Sequence, residues 1–184
     1  MGPFIHFVSQ STSGDTRYLA QPKLDGSALS LEYVAGNLHR AATRGSGERG
    51  EDVTLNAKLV ANIPLRLNTP VDCHVRGEVV MPLEVFEEKY RDVSPNPRNL
   101  CSGALRQKYG DGKADASDLV FCAYDVKFVN DPPQLRYDSE LLDLLKNTIG
   151  IEPAPWQVSH LPPITLKLNL PGLYPLIVDS GSFE

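Results

Sequence analysis

Alternating apolar and polar residues mark the first candidate strands of the chain. The stretch ALSLEYV places Leu29, Leu31 and Tyr33 on one face and polar residues on the other, which is the period of a half-buried β-strand. A Gly36-Asn37 turn follows, and LHRAATR then predicts a second strand that runs back beside the first. This part of the pattern therefore predicts an antiparallel hairpin.

Two further strands and three helices follow from the same reasoning. Runs rich in β-branched and aromatic residues predict strands at Cys73–Met81 and Leu119–Val129. Pro82 and Pro97 each predict the start of a helix, because proline is tolerated in the first helical turn. The run DSELLDLLKNTIG is the clearest helix, since its leucines share one stripe and Gly150 can end it. Turns between neighbouring strands, without regular βα alternation, predict an α+β fold of antiparallel sheets flanked by short helices.

Length and composition favour one globular domain. The chain has 184 residues, of which 41% are hydrophobic, and this suits a sizeable core. We divide it into an amino-terminal extension at 1–20, a core at 21–150, and an incomplete proline-rich part of the same domain at 151–184. The net charge of -5 argues against general binding of polyanions. Three separate cysteines and the lack of any long apolar run predict a cytoplasmic protein without a zinc site or a membrane segment.

The stretch QPKLDG contains the first candidate chemistry. Lys23 is a nucleophile only when its amine is deprotonated, which desolvation or nearby positive charge can achieve. Residues i and i+2 of an extended segment face the same way, so Asp25 could lie beside Lys23. Gly26 would let a ligand or another backbone approach closely. On these residues alone, a solvated lysine before a turn is the simpler interpretation.

Four later stretches change that interpretation by their order and spacing. The stretches are ATRGSGERGEDVT (Ala42–Thr54), VRGEVVMP (Val75–Pro82), NPRNLCSGALRQK (Asn96–Lys108) and FCAYDV (Phe121–Val126). Together with KLDG, they resemble the adenylation domain of bacterial NAD-dependent DNA ligases from Gln21 to about Phe128. The resemblance implies a nucleotidyltransferase fold related to the ATP-grasp fold.

The resemblance implies a function and a set of site residues. Lys23 matches the lysine that takes AMP from NAD and passes it to the 5′-phosphate of nicked DNA, and Asp25 matches an essential carboxylate beside it. Mg2+ is implied as a cofactor. The remaining matches are Gln21 and Tyr124 at the adenine, Glu78 at the ribose, Arg44 in the nucleotide site, and Arg98 and Arg106 near the phosphates and the nick.

Each of these residues also has a plainer interpretation. Arg44, Arg98 and Arg106 could be solvated surface cations. Glu78 shares a strand face with Arg76, which predicts a weak surface ion pair. Tyr124 alternates with Cys122 and Val126, and that pattern alone favours the core. Their joint order within one family pattern is what favours the functional roles.

The chain also departs from the family pattern. Gln21 stands where the family usually has glutamate, although a divergent branch of bacterial NAD ligases also has glutamine there. Ser46 replaces a common aspartate. The family continues to a strand DGVVxK, whose lysine binds the AMP phosphate. The corresponding stretch here is YPLIVDSGSFE, in which Asp179 is the candidate aspartate and no lysine follows.

We therefore expect this chain to be an adenylation domain that is truncated at both ends. It would lack the family's helical segment for nicotinamide mononucleotide and its DNA-encircling domains. We expect a monomer that meets nicked double-stranded DNA through domains outside this sequence. Two alternatives stay open: a non-catalytic nucleotide-binding or interaction module derived from this domain, and an ATP-dependent RNA ligase or capping-type nucleotidyltransferase.

Overall fold

The structure is a computed structural model that describes residues 18–44, 50–108 and 110–159. The chain divides into a larger unit, Leu24–Ala154, and a smaller one formed by Met1–Lys23 and Pro155–Glu184. The positions Ser46 and Asp179 lie outside the described residues. The strands are β1 (Tyr18–Ala20), β2 (Ser27–Val34), β3 (Asn37–Thr43), β4 (Cys73–Val80), β5 (Val120–Phe128) and β6 (Gln157–Ser159).

The larger unit contains an antiparallel sheet in the order β3-β2-β4-β5. The inner face of this sheet carries Leu29, Leu31 and Tyr33, which are almost fully buried. The outer face carries the intervening polar residues, including Arg76 and Glu78, which are opposite Ser30 and Ala28 of β2. In the smaller unit, β1 pairs antiparallel with β6. The predicted hairpin, the two later strands and the α+β class are therefore confirmed.

The helices of the larger unit are short. The three predicted helices are present, whereas a helix at Thr54–Ala57 and a 3-10 turn at Ala116–Asp118 were not predicted. Among the described residues, the structure contains no helix that is both long and apolar enough to span a membrane. The helices are α1 (Thr54–Ala57), α2 (Leu83–Val85, continued by a π-helical turn at Phe86–Tyr90), α3 (Pro97–Arg106) and α4 (Asp138–Leu144, continued by a π-helical turn at Leu145–Ile149).

Helix α3 is held at its start and against the sheet. The side chain of Asn96 accepts a hydrogen bond from the backbone N–H of Arg98 at 2.8 Å, and Pro97 occupies the first turn. The buried Cys101 thiol donates to the carbonyl oxygen of Val79 in β4 at 2.8 Å. Burial also raises the pKa of Cys101 to about 12, so the thiol is unreactive at neutral pH. These contacts fix the helix that carries Arg98 and Arg106.

A β-bulge interrupts the pairing of β4 with β5. Arg76 is opposite Asp125, whereas Gly77 is opposite Ala123, so Tyr124 has no partner in the register. The phenylalanine at position 121 explains the glycine, because a Cβ on Gly77 would lie 2.4 Å from the Phe121 ring. The extra residue places Tyr124 and Asp125 on the outer face one after the other, and the buried Val126 returns to the inner face.

Candidate functional site

A half-buried carboxylate lies on the outer face where β2 begins. The backbone N–H of Gly26 donates to Oε1 of Glu78 at 3.2 Å. A Cβ on Gly26 would lie 2.0 Å from the carbonyl oxygen of Val79, so this position has no room for a side chain. Burial raises the pKa of Glu78; the Gly26 N–H and the positive charge of Arg98 lower it, and the negative charge of Asp25 raises it. The site therefore contains a carboxylate whose charge is only partly compensated.

The second carboxylate of the site is joined to helix α3. Oδ1 of Asp25 lies 3.2 Å from Nη1 of Arg98, and both side chains are largely exposed. The cap made by Asn96 holds the first turn of α3 and therefore the backbone of Arg98. Exposed ion pairs are worth little in stability, so this pair can open at low cost when a ligand arrives.

An exposed aromatic ring lies beside these charges. Tyr124 is 43% exposed, whereas Tyr33 and Phe121 on the inner face are almost fully buried. Burial and the negative charge of Glu78 raise the pKa of its phenol, while the positive charges of Arg76 and Arg44 lower it. The phenol is therefore close to two carboxylates, those of Glu78 and Asp125, and to two guanidinium groups. The pattern that favoured a core position for Tyr124 was wrong, because the bulge separates it from Val126.

Arg106 pairs with Glu51, which is hydrogen-bonded to the residue before Arg44. The backbone N–H of Thr43 donates to the carbonyl oxygen of Glu51 at 3.0 Å, and that of Arg44 donates to Ala28 at 3.4 Å. Nε of Arg106 lies 3.2 Å from Oε2 of Glu51. Arg106 is eight residues after Arg98 in one helix, which is roughly 12 Å along the axis. Arg106 therefore contacts the segment next to Arg44, and the carboxylate at Asp25 is paired with Arg98.

Gln21 and Lys23 belong to the smaller unit and end it at its junction with Leu24. Both side chains are exposed. Lys23 is two residues before Asp25 in the chain. The roles of Gln21 and Lys23 stay predictions.

The larger unit's site combines acceptors, cations and a flat apolar surface. Carboxylates accept hydrogen bonds from hydroxyl groups, and arginines bind phosphates through several N–H donors. An exposed tyrosine ring is a surface on which a base can stack. The arrangement therefore suits a ligand with hydroxyls, an aromatic base and phosphates. In the described part of the chain, the structure contains no group of three or more His, Cys, Asp or Glu side chains that could hold a metal ion.

Sequence reasoning missed part of this arrangement. The expected ion pair between Glu78 and Arg76 is wrong, because Nη1 of Arg76 lies 3.8 Å from Oδ2 of Asp125 and Glu78 accepts the N–H of Gly26. Asp125 is opposite Arg76 only because of the bulge, and the sequence contains no signal for that bulge. Asn96 did have one, since an asparagine directly before a proline is typical of a helix start.

A family model and individual relatives agree on the family that this chain resembles. The family model described as "NAD-dependent DNA ligase adenylation domain" matches residues 2–155. A DNA ligase of Natranaerobius thermophilus is 45% identical over 135 residues, which are 68% of this chain and 20% of that ligase. A DNA ligase of Lactobacillus gasseri is 50% identical over 111 residues, or 56% of this chain and 17% of that ligase. The chain thus spans about a fifth of the length of these relatives.

Proposed function

Because this chain belongs to the family of NAD-dependent DNA ligase adenylation domains, we propose that it transfers AMP from NAD onto Lys23. The lysyl adenylate would then serve to seal nicked double-stranded DNA. The observation that carries the proposal is the cluster of Asp25, Glu78, Arg98 and Tyr124, which begins two residues after the candidate nucleophile.

The proposed step is an in-line displacement at phosphorus. The neutral amine of Lys23 attacks the α-phosphorus of NAD, and a phosphorus–nitrogen bond forms. The bond from that phosphorus to the bridging oxygen breaks, the oxygen leaves on nicotinamide mononucleotide, and the nitrogen loses one proton. Such transfers depend mainly on positioning and on stabilising charge. Arg44 and Arg98 are the cations of the larger unit that would stabilise the phosphate oxygens.

The other site residues would hold the adenosine. The partly compensated carboxylate of Glu78 would accept hydrogen bonds from ribose hydroxyls, and the ring of Tyr124 would stack on adenine. Gln21 would contact the base, and an amide there can both donate and accept. We assign Arg106 to the phosphate side of the same ligand. It would act through Glu51, which is hydrogen-bonded to the residue before Arg44.

Magnesium fits the donor set of the site. Proteins commonly bind Mg2+ through one or two carboxylates together with substrate phosphates. Asp25 and Glu78 are the carboxylates that would hold it here. Asp25 is largely exposed, and it is close enough to Glu78 for its negative charge to raise the pKa of Glu78. Bound there, Mg2+ would neutralise part of the phosphate charge.

The test is the intact mass of the chain after incubation with NAD or with ATP in the presence of Mg2+. We expect one AMP to be added from NAD only slowly and incompletely, and none in Lys23→Arg, because arginine stays protonated in proteins and cannot attack. Unchanged thermal unfolding of Lys23→Arg would show that the fold is retained.

The other outcomes contradict the proposal in distinct ways. AMP added only from ATP would favour an ATP-dependent RNA ligase or capping-type enzyme. Binding of AMP without any covalent product would favour a non-catalytic nucleotide-binding module. Peptide mapping that found AMP on another lysine would reject Lys23 as the nucleophile.

A further inference from the structure

Arg76 and Asp125 form a second pair of charges on the outer face, beside Tyr124. They are opposite each other in the β4–β5 register, and Nη1 of Arg76 lies 3.8 Å from Oδ2 of Asp125. The side chains are 62% and 42% exposed. A guanidinium has five N–H donors and a carboxylate has two acceptor oxygens. At this distance, most of these donors and acceptors stay available for hydrogen bonds to a ligand. Both groups can therefore bind a ligand that lies on the Tyr124 ring.

The spacing along β4 shows which part of a ligand would reach them. Glu78 and Arg76 are two residues apart on one face, which corresponds to roughly 6.8 Å along a strand. Tyr124 lies two residues after Cys122, which is opposite Glu78, and directly before Asp125, which is opposite Arg76. A nucleoside with its ribose at Glu78 and its base on Tyr124 would extend along this direction. The far edge of its base would end at Arg76 and Asp125.

We propose that Arg76 and Asp125 recognise the edge of the bound base and select adenine over guanine. This inference rests on the proposed function, because it takes Glu78 as the ribose contact and Tyr124 as the stacking surface. Adenine presents an amino donor beside a ring-nitrogen acceptor, whereas guanine presents two acceptors on the corresponding edge. Asp125 can only accept and Arg76 can only donate. Adenine satisfies both side chains, and guanine would place its O6 against the carboxylate.

The experiment is calorimetric titration of the full chain with AMP and with GMP. We expect wild type to bind AMP more tightly than GMP. Asp125→Asn replaces the carboxylate with an amide that can also donate to O6, so the AMP-to-GMP affinity ratio should fall about ten-fold, which is one hydrogen bond to a charged group. Arg76→Met removes a donor used by both bases, so both affinities should fall while the ratio stays nearly constant.

Lys127 offers a matched control on the same strand. It is exposed and lies opposite His74 on the outer face. It is two residues farther along β5 from Tyr124 than Asp125 is. Lys127→Met removes the same charge as Arg76→Met and should leave both affinities unchanged. Thermal unfolding of each variant would show that the fold is retained.

Each of the following results would overturn the inference. An unchanged ratio in Asp125→Asn would exclude base selection by this carboxylate. Equal losses in Lys127→Met and Arg76→Met would reduce the effect of Arg76 to general charge attraction. A wild type that binds neither nucleotide would reject the proposed function as well, whereas tight AMP binding with unaffected variants would reject only the base-edge assignment.

Discussion

Glu78 is the residue at which binding and stability make opposite demands. Its carboxylate is half-buried beside the Gly26 N–H, and burial is the largest influence on its pKa. A buried charge with incomplete compensation costs stability. The same incomplete compensation leaves acceptor capacity for hydroxyl groups of a ligand. This residue is therefore the clearest place to measure the two effects separately.

We predict that Glu78→Gln will weaken AMP binding about ten-fold, the loss of one charge-assisted hydrogen bond, without lowering stability at neutral pH. The glutamine oxygen can still accept the Gly26 N–H. The folded-state pKa of Glu78 is raised above the ordinary 4.5, so the folded state holds this proton more strongly than the unfolded state. Glu78 therefore makes stability fall as pH rises from 4.5 through the raised pKa.

The measurement is thermal unfolding of wild type and Glu78→Gln from about pH 4 to about pH 7. Stability of the wild type relative to the variant should decrease across this range, because only the wild type must ionise a half-buried carboxyl. A relative stability that rises with pH would contradict the assigned direction.

At the scale of elements, helix α3 connects the two segments that carry site residues. Its first turn pairs Arg98 with Asp25, and its last turn pairs Arg106 with Glu51. Glu51 in turn accepts the backbone N–H of Thr43, the residue before Arg44. The helix itself is fixed to β4 through Cys101. We infer that Arg106 acts on the nucleotide partly by holding Arg44 in place.

We predict that Arg106→Ala will weaken AMP binding roughly two- to five-fold, the range expected from one exposed ion pair. Arg40→Ala is the control, because Arg40 pairs with Asp52 at 3.4 Å beside the same segment without a link to α3. It should leave AMP binding unchanged. The exchanged pair Arg106→Glu with Glu51→Arg should recover most of the affinity, as measured by titration with AMP. A loss that persists in the exchanged pair would instead indicate direct contact of Arg106 with the ligand.

At the scale of the whole molecule, the length and the charge of the chain bear on what it can bind. It matches about a fifth of the length of its ligase relatives, and its net charge is -5. Binding to DNA depends largely on cations that neutralise phosphates. Catalysis also uses binding energy from substrate parts far from the reacting bond. Adenosine recognition can therefore be present in this chain without efficient reaction on DNA.

We predict that this chain alone, with NAD and Mg2+, will leave a nicked duplex unsealed under conditions in which it binds AMP. The physical reason is the weak hold of an acidic chain on the DNA backbone. The measurement is a denaturing gel of a labelled nicked duplex, run beside the AMP titration. Robust sealing would show that the chain supplies both the DNA contacts and the NAD contacts by itself.

Much of the fold and the composition of the site were predictable from the sequence, because they depend on neighbours along the chain. Alternation in ALSLEYV identified β2, and proline at position 97 identified the start of α3. The order of the motifs identified the family, whose adenylation-domain model matches residues 2–155. For Asp25, Glu78 and Arg98 it also identified residues that the fold brings together.

The tertiary structure alone decided which of these side chains face each other. One extra residue in β5 placed both Tyr124 and Asp125 on the outer face, gave Arg76 a partner other than Glu78, and left Val126 in the core. Arg106 likewise found its partner, Glu51, in a segment more than fifty residues earlier. Such contacts depend on the register between strands and on the docking of a helix. A pattern with a period of two residues cannot record them, because a single bulge reverses the faces of every residue that follows.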